Sequence, residues 1–144
     1  MIESVRIIRL FILGCILAGA SLDDLKTMTI PNRLIAAGAA ASLLRLAEGD
    51  GLMQILMGLI PALGIFILTA VLGFVTGRPS LGMGDIKLIA VIGLHMGVKG
   101  TILATGIACI ATLIAYPLLR RKNFPFAPML AAGAGIAAAV QLLV

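Results

Sequence analysis

Apolar residues in this chain come in long runs, and its charged residues fall in short clusters between them instead of along amphipathic helix faces. Measured against the roughly 20 residues that cross about 30 Å of hydrocarbon, six candidate spans emerge. They run approximately from Ile7 to Leu22, Ile30 to Leu46, Leu52 to Val75, Ile86 to Val98, Thr101 to Leu119, and Pro125 to Val144. The fourth is well under a full crossing, so tilt, shielding by its neighbours or a start below the lipid surface is expected of it. Five full spans plus one partial span is the alternative count. The pattern predicts an all-α, polytopic transmembrane helical bundle of about six spans, forming a single membrane-embedded domain over residues 1–144.

Composition agrees with that division. A chain of 144 residues has room for one domain, and 61% hydrophobic residues with a mean hydropathy of +1.19 exclude an ordinary soluble fold. A secretory signal peptide is the competing reading of Ile7 to Ala20, but the later segments are equally apolar, so this stretch reads as the first span. The formal charge of +5 is better explained by membrane orientation than by nucleic acid, for which the chain carries no footprint. Cys15 and Cys109 sit alone in apolar runs without zinc-ligand spacing, so they read as small packing residues, and no metal site is expected. Gly73 with Gly77, and Gly93 with Gly97, stand at GxxxG spacing and read as helix-packing positions.

Cytoplasmic loops gather Lys and Arg. The loops after the first, third and fifth spans, with their flanking turns, hold Lys26, Arg33, Arg78, Lys87, Arg120, Arg121 and Lys122, against Arg6, Arg9, Arg45 and Lys99 on the other side. This bias places those three loops in the cytoplasm and both termini outside, a placement that Arg6 and Arg9 oppose. Arg120 to Lys122 read as an anchor for anionic membrane lipid.

Ionisable groups near or within spans are costly, which makes them functional candidates. Glu48 and Asp50 lie in the polar turn Ala47 to Gly51, where a solvated loop accounts for them. Asp23 and Asp24 close the first span, ahead of Leu25-Lys26-Thr27-Met28-Thr29-Ile30-Pro31-Asn32. Asp85 follows Gly82-Met83-Gly84 and precedes Ile86-Lys87. Under the assigned topology both sites share one membrane depth on the cytoplasmic side. Two carboxyl groups in a partly desolvated site cannot both ionise easily, so one keeps its proton. Such a pair can hydrolyse a peptide bond: the carboxylate takes a proton from water while the acid donates to the scissile carbonyl. Gly82 and Gly84 let a substrate strand approach the backbone. Taken alone, the GxGD sequence equally fits a turn in which Asp85 caps a helix.

Three pieces together resemble the type IV prepilin peptidases, a GxGD family of membrane aspartic proteases. They are Gly82 to Lys87, the upstream segment Asp24 to Asn32, and Phe124-Pro125-Phe126-Ala127-Pro128 followed by a small-residue helix. Their order and spacing match over nearly the whole chain. The resemblance implies removal of the basic leader from prepilins or pilin-like proteins at the cytoplasmic face of the bacterial inner membrane. It assigns the catalytic pair to Asp24 and Asp85, with Asp23 as the fallback, and requires no cofactor. Larger members carry a cytoplasmic zinc-binding insertion and methylate the product. Nothing here corresponds to that insertion, so the chain is similar to the small form found with tight-adherence (Flp-type) pili, and methyl transfer is not carried over. Lys87 tunes the pair, meets an acidic group on the approaching substrate, or snorkels to the interface; Asn32 and Thr29 serve helix initiation, and His95 is remote from the pair. The rival from another class is a small proton- or cation-coupled transporter component using the same carboxylates.

Overall fold

The computed structural model describes residues 2–77, 81–119 and 126–143. Every regular element among them is an α-helix: α1 (Ile2–Thr27), α2 (Asn32–Ser42), α3 (Leu44–Ala47), α4 (Leu52–Met57), α5 (Ile60–Thr76), α6 (Met83–Leu119) and α7 (Ala127–Leu143). Three stretches, Glu3–Thr27, Leu52–Thr76 and Met83–Ala115, are long and apolar enough to cross a membrane, and Ala127–Leu143 is a shorter apolar helix. The described helices thus make an all-α membrane bundle. The fourth and fifth expected spans form one helical run broken at Gly97, whose φ of 68° and ψ of −173° are open to glycine alone.

Buried positions form one stripe per helix at intervals of three and four. On α1 the stripe is Arg9, Leu13, Ile16, Leu17, Ala20 and Asp24. On the first part of α6 it runs through Leu88, Ile89, Ile92, His95 and Met96, and on α7 through Ala127, Leu130, Ala134 and Ala137. These faces pack together, while Phe11, Phe74, Val75, Leu113 and Leu143 point outward. A water-soluble chain does not leave such an apolar surface exposed; a bundle solvated by lipid requires it. Cys15 and Cys109 lie on this exposed surface and not in the packed interior, which corrects their reading as packing residues.

The GxxxG glycines divide by role. Gly93 meets the backbone of Gly58 so closely that a Cβ on either would overlap the carbonyl of the other. Gly77 instead ends α5 in the left-handed region and Gly97 breaks α6, so these two serve backbone conformation.

The charged residues of the α3 turn correct the sequence reading. Glu48 is not a solvated loop residue: its carboxylate accepts from Arg9 Nε at 2.6 Å and Nη2 at 3.0 Å, and Arg9 itself is only 4% exposed. Asp50 likewise accepts from Arg45 Nε at 2.6 Å. Arg9 is therefore a buried cation neutralised by Glu48.

Gly93→Val is expected to destabilise the detergent-solubilised protein by about 1–3 kcal/mol or more, since backbone cannot yield as a side chain would. Thermal unfolding should show this loss. Gly64→Ala, where a methyl group meets nothing within 4 Å, should leave the midpoint unchanged or slightly raised.

Candidate active site

The end of α1 and the start of α6 meet at an open cavity of about 260 Å³, lined by Asp24, Met28, Thr29, Ile30, Gly82, Met83, Gly84, Asp85 and Lys87. Asp24 reaches it because it continues the buried stripe of α1, and it is 7% exposed. Asp23, about 100° further round the helix, is not among the lining residues. α1 ends just beyond, where Met28 adopts a φ of 53° and its N–H donates to the Asp24 carbonyl at 3.0 Å. A left-handed non-glycine residue closing a helix turns the chain sharply, here toward Thr29 and Ile30 on the cavity wall.

Asp85 occupies the first turn of α6, one helical step before Leu88 and Ile89, so the buried face of that helix also points it inward. Gly82 lies just outside the helix, and its carbonyl accepts from the Asp85 and Ile86 amides at 3.1 and 3.3 Å. A Cβ at Gly82 would stand 3.2 Å from Asp85 Oδ2, and one at Gly84 would press on Ile30 at 3.4 Å. Both glycines therefore keep the cavity open around the carboxylate.

The Asp24 carboxylate has a backbone donor. Asp24 Oδ2 accepts from the Ala127 amide at 3.2 Å, which places it at the positive end of α7. Asp85 stands with it on the wall of the same cavity. The two differ in exposure: Asp24 is buried, while Asp85 is half-buried.

The sequence-predicted residues Asp24, Asp85, Gly82, Gly84 and Lys87 share this cavity. Lys87 Nζ donates to Asn32 Oδ1 at 3.0 Å. It therefore ties α6 to the first residue of α2. His95 lies on the α6 stripe ten positions past Asp85, 1% exposed, with Nδ1 3.1 Å from the Val91 carbonyl. Sequence reasoning missed the Ala127 amide, because a search among side chains does not register a main-chain donor. Pro128 in the first turn of α7 was the available signal. No group of three or more metal-ligating side chains occurs among the described residues.

Fold and cavity together define a helical membrane protein with two carboxylates gathered at one end of its bundle. The sequence pattern of the Type IV leader peptidase family matches residues 11–116, which include both carboxylates. The chain belongs to that family. It is 34% identical over 128 aligned residues to the prepilin leader peptidase/N-methyltransferase of Bacillus subtilis strain 168. That alignment covers 81% of this chain and 49% of the relative, so the chain spans about half of the relative's length. No solved structure matches.

Replacing Ala127 by proline removes the amide bound to Asp24 while keeping a residue suited to the first position of a helix. Ala127→Pro is expected to be less stable than Ala127→Val, which adds similar bulk but retains the N–H, by about 1–3 kcal/mol, because it leaves a buried carboxylate oxygen without its donor. Thermal unfolding of the two variants in detergent measures the difference.

Proposed function

We propose that this chain is an aspartic endopeptidase that removes the leader of Flp-type prepilins or pilin-like proteins at the cytoplasmic face of the bacterial inner membrane. The observation that carries the reading is the placement of Asp24 and Asp85 on one cavity wall in a member of a leader peptidase family. In the resting pair one carboxyl keeps the proton. The ionised partner draws a proton from a water molecule, whose oxygen attacks the scissile carbonyl. The protonated partner donates to the carbonyl oxygen, and the roles reverse as the amine leaves. Neither a metal nor a nucleophilic side chain enters these steps.

Three features support the assignment of Asp24 over Asp23 and of Asp85 as its partner. Asp24 lines the cavity, its carboxylate is oriented by the Ala127 amide, and the two glycines preceding Asp85 leave the room an extended substrate strand needs. The reading confines the chain to cleavage and assigns it no methyl transfer. Family membership lends the alternative transporter reading no support.

Co-expression with a Flp-type prepilin tests the proposal, with product size read by gel and the new N-terminus by mass spectrometry. Asp24→Asn and Asp85→Asn should each reduce cleavage on the order of 10²–10⁴-fold without loss of membrane insertion, whereas Asp23→Asn should keep most activity. A prepilin left whole by a correctly inserted wild-type chain, or one still cleaved by Asp85→Asn, would overturn it. The orientation predicts that a cysteine at Lys99 labels from outside intact cells and that one at Lys26 does not; the reverse pattern would invert the topology.

A further inference from the structure

Breaking α6 at Gly97 leaves the last carbonyls of its first segment, Met83–Met96, without helical partners. Three neighbouring elements supply donors. Arg45 Nη1 binds the Leu94 carbonyl at 3.1 Å, Arg9 Nη1 binds the His95 carbonyl, and Gln141 Nε2 binds the Met96 carbonyl at 3.0 Å. Both arginines are themselves held by carboxylates, Glu48 and Asp50, and Arg6 donates to the Gln141 carbonyl. Cations at a helix C-terminus are favoured by its dipole, and bonds to three consecutive carbonyls, two of them charge-assisted, leave the segment little freedom to slide or turn.

The geometry of this lock reaches the other end of the bundle. Arg9 and Asp24 lie on the same face of α1, about 22 Å apart along a straight helix, and His95 stands about 15 Å from Asp85 along α6. The first segment of α6 is thus a short rigid rod, fastened to α1 at one end and carrying Asp85 at the other. A slip of one residue at Arg9 would move Asp85 by about 1.5 Å and 100°.

We propose that Arg9, clamped by Glu48, is a positioning residue: by fixing the axial and rotational register of Met83–Met96 against α1, it sets where Asp85 stands relative to Asp24. The proposal rests on the reading of these two aspartates as the reacting pair. Arg9 touches no substrate, and it works only through the helix it holds. Its buried guanidinium satisfies the interrupted helix and joins it to α1 in a single contact, and lysine cannot reproduce that fork.

The test separates register from activity. In a chain carrying Cys15→Ala and Cys109→Ser, Asp24→Cys and Asp85→Cys are cross-linked with bis-methanethiosulfonate reagents of graded length, with and without Arg9→Lys or Glu48→Gln. In parallel, Arg9→Lys and Glu48→Gln are assayed on a prepilin peptide with both aspartates intact. Both variants should shift or broaden the preferred spacer length. Each should also lower kcat by about 10- to 100-fold with KM unchanged, as a displacement near 1 Å does. Lys99→Gln, at the same end of the bundle and outside the lock, should alter neither. An unshifted spacer preference would overturn the proposal whatever happens to kcat, and so would a shifted preference with full turnover. Glu48→Gln preserves side-chain shape and keeps the test decisive should Arg9→Lys fail to fold. The cross-linking result does not depend on peptidase activity, so failure of the proposed function is distinguished from failure of the lock.

Discussion

An interrupted helix must find partners for the carbonyls it frees where they are buried, because a packed interior offers them no water. That constraint organises this bundle. Gly97 permits the break in α6, and Arg9, Arg45 and Gln141 answer it from three separate elements. Burying a guanidinium is costly unless its charge and its donors are met, so Arg9 in turn fixes Glu48, and with it the turn after α3. Removing only one member of such a pair strands the other, which couples α1, the α3 turn and α6 far more tightly than apolar packing alone. Close approach of Gly58 and Gly93 then seats α6 against the α4–α5 connection.

The same helices end in the candidate active site, and the stripes explain why. On α1 the buried face begins at Arg9 and finishes at Asp24. On α6 the face that carries Asp85 continues to His95, and on α7 it starts at Ala127, whose amide binds Asp24. The polar groups of the interior are thus concentrated at the two ends of one apolar core. One end holds paired opposite charges and the other holds two like charges. Opposite charges stabilise a fixed arrangement, whereas two like charges lining one cavity oppose it.

Much of this was legible in the chain because lipid permits few architectures. Long apolar runs have no alternative to helices, and carboxylates beside them stand out by their cost. Gly82, Gly84 and Asp85 could be read together because their geometry is local. The Arg9–Glu48 pair could not, since its members are 39 positions apart and a charge in a polar turn looks solvated until its partner is known. The α6 break was placed just after its true position because Lys99 and Gly100 supply the polar signal, while the left-handed backbone falls at Gly97. Spacing alone also gave Gly77 and Gly93 the same role, although one ends a helix and the other admits a neighbouring backbone. Period did hold the missing clue: Arg9 falls on the same three-and-four spacing as Leu13, Leu17, Ala20 and Asp24, so a cation on that face had to be buried.

The central claim is that Asp24 and Asp85 act as one coupled acid–base pair. The pH dependence of kcat/KM for the purified chain in lipid vesicles, with a prepilin peptide as substrate, measures this most directly. The account predicts a bell-shaped profile whose two limbs belong to the pair, with activity lost when either aspartate becomes asparagine. A profile governed by a single ionisation, or one left bell-shaped after Asp24→Asn, would contradict it.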